Sequence, residues 1–148
     1  MEESLFVERL TAMTPRLYRI CRTFFRRESD CEDAVQSAIL LAWQHQGALR
    51  REEAFEGWVI QILINECRKI CRKSKGFLPL DPQLPSEPGN ESFWEIIHGL
   101  DEKYRIPLEL FYVEQFKIHE IARMLHLPEG TVKRRLHTAR NMLKEGLS

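Results

Sequence analysis

The stretch His119–Leu143 reads HEIARMLHLPEGTVKRRLHTARNML, and its apolar spacing decides the fold. A helix-turn-helix needs a short first helix, a tight turn, and a second helix whose outward face fits the major groove. Ile121, Ala122 and Leu125 predict the inner face of a first helix over 118–125, with Ala122 small where the second helix must approach closely. His126-Leu127-Pro128 supplies the turn, capped by Leu127. Val132, Leu136, Ala139 and Leu143 then continue the inner face at steps of four, three and four along a last helix from about Glu129 to Gly146. The opposite face gathers Thr131, Lys133, Arg134, Arg135, His137, Thr138 and Arg140. Those near the helix start can reach base edges, and the flanking ones suit phosphates. Gly130-Thr131 opens this helix, where free N–H groups can also hold a phosphate. A rival motif fails: His119-Glu120 begins like the zinc-protease pattern H-E-x-x-H, but position 123 is Arg, so the second ligand is missing.

Working outward, a helix of about Lys103–Val113 and a short segment Phe93–His98 precede the pair. Before them lies GFLPLDPQLPSEPGNES, residues 76–92, which holds four of the seven prolines and no hydrophobic period. It reads as a flexible linker, its spaced prolines favouring extended backbone. The expected domains are therefore 1–75 and 93–148. In the first, three helices are legible. One runs from about Leu5 to Arg26, its apolar period interrupted by Pro15. The second starts at Ser29, where Ser29-Asp30-Cys31-Glu32 fits the S-x-x-E capping box, and runs to about Gln46. The third spans about Phe55–Lys73, with Trp58 reading as core rather than a stacking platform. The fold class is all-α.

Composition agrees: 148 residues, 43% hydrophobic and 30% charged, is the balance of a folded chain. No stretch approaches the ~20 apolar residues of a membrane span, and the acidic N-terminus is no secretory signal, so a cytoplasmic protein without membrane insertion is expected. The formal net charge is zero, with 22 basic and 22 acidic side chains. The charge is nonetheless sorted into two local basic runs: Arg68, Lys69, Arg72, Lys73 and Lys75, then Lys133, Arg134, Arg135, Arg140 and Lys144. Screening confines phosphate attraction to about 10 Å, so local sorting outweighs the total. A neutral chain with two basic patches suggests weak DNA binding alone and reliance on a second partner. The four cysteines, at 21, 31, 67 and 71, form no CxxC pair. Cys67 and Cys71 are spaced i, i+4, as a metal would require, but buried reduced thiols are the plainer reading. Neither cofactor nor metal is expected.

Ile118–Leu143 resembles the promoter −35 reader of extracytoplasmic-function (ECF) sigma factors, in the sigma-70 family. That pattern is roughly E-I-A, three to five residues, then G-T-V-K-x-R-L-x-x-A-R; Glu120-Ile121-Ala122 and Gly130-Thr131-Val132-Lys133-Arg134-Arg135-Leu136 with Ala139-Arg140 match it. His126 stands where the family usually has Gly and is expected in a left-handed conformation, tolerable for His. Thr138 stands where a basic residue is frequent. In the first half, Asp33-Ala34-Val35-Gln36 with Trp43, and Trp58-Val59 through Asn65 to Arg72, resemble the family's polymerase-binding and −10-reading segments, Lys69 replacing the usual Asp. The resemblance implies a sigma region 2-like bundle of three to four helices and a sigma region 4-like helix-turn-helix domain. It implies binding to core RNA polymerase, at its beta-prime clamp and beta flap, and to promoter DNA, with no enzymatic chemistry and with restraint by an anti-sigma protein. Asp33, Gln36, Leu40 and Trp43 would meet polymerase, the first three forming one stripe at steps of three and four. Gln61, Asn65, Arg68, Lys69 and Arg72 would meet the −10 element. In related sigma factors a loop like 44–54 holds a flipped base, and Asn65 suits reading one because an amide both donates and accepts. A dimeric helix-turn-helix regulator is the alternative; it would protect a palindromic operator without polymerase.

Overall fold

The computed structural model describes residues 1–73 and 97–147, the side chains of 72, 73 and 147 excepted. The linker expected over 76–92, and the segment expected from Phe93 as far as residue 96, lie outside the described residues. All regular structure among the described residues is helical. The chain divides into two compact units, Met1–Asp81 and Pro82–Ser148.

The first unit is built from α1 (Glu3–Phe24), α2 (Glu28–Gln44) and α3 (Phe55–Lys73). Its core takes Phe6, Leu10, Leu17 and Ile20 from α1 and Phe55, Val59, Ile60, Leu63 and Ile64 from α3. The buried face of α2 is mostly small: Ala34, Ala38 and Ala42 repeat every fourth residue, each fully buried. Small side chains let α2 come close to both neighbours, and large rings fill the space at one end. Phe6 lies edge-on to Phe55 at 5.3 Å, Trp43 at 6.0 Å and Trp58 at 6.4 Å. Each such ring pair adds about 0.5–1.5 kcal/mol beyond area burial. Arg9 closes the edge, ion-paired to Glu56 at 2.8 Å with its guanidinium 4.6 Å from the centre of the Phe55 ring.

The single helix expected over about Leu5–Arg26 forms as α1 and runs continuously through Pro15. Thr11 and Thr14 return their hydroxyls to the carbonyls of Val7 and Leu10, and Pro15 itself is exposed, so its ring meets solvent rather than packing. One expectation is corrected: the capping box at Ser29 does not form. The helix begins at Glu28, Arg27 stands at its N-cap, and no side chain caps it. Glu28 is drawn to Arg22 of the preceding helix at 3.3 Å, which winds Ser29 into the first turn where it can no longer cap. Between α2 and α3, two single 3-10 turns, Gln46–Ala48 and Glu52–Ala54, carry the chain across.

In the second unit, α4 (Glu102–Leu108) is capped by the Asp101 carboxylate, which accepts from the Lys103 N–H at 3.3 Å. Where one continuous helix was expected as far as Val113, the chain widens into a π turn, Glu109–Val113. Pro107, buried just upstream, has no N–H to give to the turn before it. The Glu114 N–H reaches back five residues to the Glu109 carbonyl at 3.1 Å. Then follow α5 (Ile118–Leu125) and α6 (Glu129–Leu147). Ile121, Ala122, Leu125, Val132, Leu136 and Ala139 are buried as the spacing requires. Ile97, Leu100, Leu108 and Ala139 form a core against which Tyr104 and Leu143 pack.

Candidate functional site

The helix-turn-helix is built as its residues demand. At the start of α5, the Lys117 N–H donates to the Glu120 carboxylate at 2.9 Å, satisfying one free donor of the first turn. At its end His126 adopts φ 57°, ψ 46°, the left-handed conformation expected there. The Leu127 N–H then returns to the Ala122 carbonyl at 2.9 Å, closing the helix end and aiming the chain into α6. Gln115, at φ 62°, is a second left-handed residue, which nothing in the sequence marked.

On α6 the inner row Val132, Leu136 and Ala139 fixes where the other side chains point. At about 100° per residue, Arg134 stands at the centre of the outer face. Lys133, His137 and Arg140, all exposed, lie on one flank, while Thr131, Arg135 and Thr138, all half-buried, lie on the other. The seven expected residues therefore share one helix but not one environment. Arg134 Nη2 lies 3.2 Å from Thr131 Oγ1, a contact that orients the guanidinium, and Asn141 meets His137 at 3.4 Å.

In the first unit, Asp33, Gln36 and Leu40 are all exposed and form one stripe of α2. Leu40 is 56% exposed, the most exposed of the large apolar side chains identified as open to solvent. Trp43 is half-buried, held edge-on by Phe6, so only part of its ring is available to that surface.

The expected −10 residues separate on α3. Asn65 and Lys69 are exposed, Gln61 and Arg68 half-buried, and the side chain of Arg72 lies outside the described ones. Asn65 and Lys69 line a groove of about 410 Å³ between the end of α2 and α3, completed by Leu41, His45, Trp58, Ile62 and Glu66. Gln61 and Arg68 are not part of its lining. Trp58 thus does two things at once: it packs near Phe6 and presents surface to the groove. His45 and Glu66 were missed by sequence reasoning. The only signal for Glu66 was its place in the ladder Trp58, Ile62, Glu66 at steps of four.

The thiols sort differently from their spacing. Cys21, Cys31 and Cys67 are buried, with Cys21 Sγ 3.7 Å from Cys67 Sγ, whereas Cys71 is half-buried. The Cys31 thiol is pushed far up by its hydrogen bond to Cys21 and by burial. Cys21 is pulled down by Cys31 but raised more by its bond to Cys67 and by burial. These are packed thiols, not nucleophiles. Among the described residues no helix is long and apolar enough to cross a membrane.

Comparison with known proteins gives two family matches: sigma-70 region 2 over residues 10–77 and sigma-70 region 4 over residues 90–143. The chain is 30% identical to the ECF RNA polymerase sigma factor SigM of Mycobacterium tuberculosis, covering 86% of this chain and 69% of that protein. It is 24% identical to the ECF sigma factor SigW of Bacillus subtilis, over 99% of this chain and 90% of the relative. Among solved structures, the sigma factor RpoE of Bartonella quintana, in complex with the anti-sigma factor NepR, superposes with a TM-score of 0.81 at 25% identity over 96% of both chains. CnrH, in complex with the cytosolic domain of CnrY, shares the fold with a TM-score of 0.76 at 21% identity over 99% of this chain and 89% of that one. With both regions matched in order and the helix-turn-helix formed as its sequence requires, the chain belongs to the extracytoplasmic-function subfamily of sigma-70 RNA polymerase sigma factors.

Proposed function

We propose that this sigma factor joins core RNA polymerase through the Asp33, Gln36, Leu40 and Trp43 surface of α2, directed at the beta-prime clamp, with the second unit meeting the beta flap. It reads duplex −35 DNA through Thr131, Lys133, Arg134, Arg135, His137, Thr138 and Arg140. It helps open −10 DNA through Gln61, Asn65, Arg68, Lys69 and Arg72. The domains that divide this work are 1–75 and 93–148, tethered by 76–92. The observation that carries the reading is the pairing of an exposed Leu40 flanked by Asp33 and Gln36 on one unit with the outward Arg134 of a helix-turn-helix on the other.

Each contact is weak by itself. An exposed apolar side chain and a few cations give little affinity against physiological salt. Once polymerase fixes the separation of the two units, the second binding event becomes intramolecular and the affinities multiply. The chain itself carries out no bond chemistry and works in the cytoplasm, where an anti-sigma protein restrains it by covering the same surfaces; two relatives of this fold are solved with such partners or with a cytosolic partner domain.

The test is transcription from genomic fragments by core polymerase with and without the purified protein, with transcript starts mapped. Discrete new starts preceded by shared −35 and −10 elements are expected. Leu40→Asp should abolish them by blocking polymerase binding, while Arg134→Ala should leave that binding intact. Tight sequence-selective duplex binding in the absence of polymerase, with no new starts in its presence, overturns the proposal.

A further inference from the structure

The two flanks of α6 differ sharply in charge. At about 100° per residue, Lys133, His137, Arg140 and Lys144 fall on one flank at steps of four, three and four, and all are exposed. The opposite flank, at the same steps, is Thr131, Arg135, Thr138 and Met142, of which the first three are half-buried. Carboxylates stand only near the helix ends, Glu129 one turn before Lys133 and Glu145 next to Lys144. The His137 ring meets Asn141 at 3.4 Å, which leaves Lys133, Arg140 and Lys144 as the line of fixed charge. At 1.5 Å per residue that line runs about 16 Å along the helix. One strand of a duplex carries a phosphate about every 3.4 Å of its axis, so a line of this length passes enough of them to give each cation its own. Lys144 lies in the last turn, where a cation also suits the helix dipole. That role alone would leave DNA binding untouched.

We infer that α6 grips the −35 duplex from one side: Lys133, Arg140 and Lys144 hold phosphates of a single strand, and Lys144 is a positioning residue that acts beyond the base-reading turns. The inference rests on the −35 reading proposed above. A helix lying in the major groove turns its two flanks to the two walls of that groove, and each wall is the backbone of one strand. Here one flank carries three fixed, exposed cations and the other a single guanidinium partly covered by protein. A helix held along one flank cannot roll about its axis without drawing all three cations off their phosphates. The grip therefore fixes the angle at which Arg134 meets the base edges. Phosphates carry no sequence, so Lys144 sets register and orientation rather than preference.

The experiment uses holoenzyme formed from the full chain and core polymerase, bound to promoter duplexes whose −35 phosphates are replaced by uncharged methylphosphonates on one strand or the other. Fluorescence anisotropy from about 50 to 200 mM salt gives the slope of log affinity against log salt. Each phosphate contact contributes about 0.9 to that slope, so neutralising the gripped strand should make it shallower by about 2.7. Neutralising the other strand should change it by no more than about 0.9, the one contact Arg135 can make. Lys144→Ala should make the slope on natural DNA shallower by about 0.9 and leave the ratio of affinities for preferred and scrambled −35 elements unchanged. The same variant should have no effect on the duplex whose gripped strand is already neutral, and Lys144→Arg should restore the slope. Equal losses from the two strands, or a parental slope in Lys144→Ala, overturn the one-sided grip while leaving α6 as the −35 reader. No response to neutralising either strand overturns the placement of α6 on the −35 duplex as well.

Discussion

Arg134 is the sharpest place to test how this molecule divides its contacts with DNA. It stands at the centre of the outer face of α6, in the second turn, exposed, with its guanidinium held 3.2 Å from the Thr131 hydroxyl. A recognition helix presents its first turns to base edges, and a guanidinium can meet guanine O6 and N7 with two bonds at once. Losing such a pair costs about 1–3 kcal/mol. At 1.36 kcal/mol per decade, Arg134→Ala should weaken holoenzyme binding to its preferred −35 element by about 5- to 150-fold. If the contact is to a base, binding to a scrambled −35 element should hardly change, and the slope of log affinity against log salt should stay the same. Lys133 and Arg140 lie on one exposed flank and serve as the comparison. If they clamp phosphates, alanine at either should weaken every sequence alike and reduce that slope by about 0.9. Fluorescence anisotropy of holoenzyme on both promoters, from about 50 to 200 mM salt, separates the two behaviours. A variant at Arg134 that lowers the salt slope while preserving sequence preference would show that the geometry of α6 has been misread.

Three further outcomes are expected. Phe6 is 1% exposed and touches three aromatic rings, so Phe6→Ala should cost about 3–5 kcal/mol of the first unit's stability. Urea unfolding followed by tryptophan emission reports on it directly, since Trp43 and Trp58 are its neighbours; a loss below about 1 kcal/mol contradicts the packing described. Asp30 has a buried carboxylate oxygen with no hydrogen-bond partner among the described residues. Burial pushes its pKa up, Arg27 opposing and Asp33 reinforcing. The folded state thus holds this proton more tightly than the unfolded chain, so stability is full at low pH and is lost as pH rises through the raised value. Asp30→Asn should therefore stabilise the protein near pH 7, with the gain fading below about pH 4; urea midpoints at both pH values check it, and a gain larger in acid reverses the sign argument. Finally, brief alkylation of the native protein should label Cys71 first, with Cys21, Cys31 and Cys67 reacting only in denaturant. Mass spectrometry of the labelled peptides decides this, and rapid native labelling of Cys21 or Cys67 would disprove their burial.

Where a pattern is local and repeated, the sequence alone located it. Ile121, Leu125, Val132, Leu136 and Ala139 placed α5, α6 and the turn between them within a residue or two, because burying one face leaves no other register. His126 stood where the family keeps Gly, and it took the backbone conformation that Gly would have taken. Where a distant partner competes, local signals misled. Ser29 and Glu32 have the spacing of a cap, but the N-cap falls two residues earlier, at Arg27, where Glu28 pairs with Arg22, and the two helices meet there only after folding. The π turn at Glu109–Val113 has too few residues to show a period, and Pro107 hints at irregularity without saying which kind. Cys67 and Cys71 share a helix face by spacing, yet the core took the first toward Cys21 and left the second half open. The groove was the least legible feature. It needs His45 from α2 opposite Glu66 and Trp58 from α3, and no reading of one helix can supply the other wall.

The neutral total charge acquires a meaning once these surfaces are separated. Twenty-two cations are matched by 22 anions, so long-range attraction to DNA is largely cancelled. Yet the outer side of α6 groups Lys133, Arg134, His137 and Arg140 within its middle turns, with Glu129 and Glu145 at its two ends, and Glu66 and Lys69 neutralise each other at the groove. Cancelling the distant field while keeping the near one lowers non-specific affinity, which comes mainly from counterion release, more than it lowers base-edge or single-base contacts. A more basic chain would spend its time on random DNA without polymerase. On the proposed function, this sorting gives promoter specificity and dependence on polymerase one electrostatic cause.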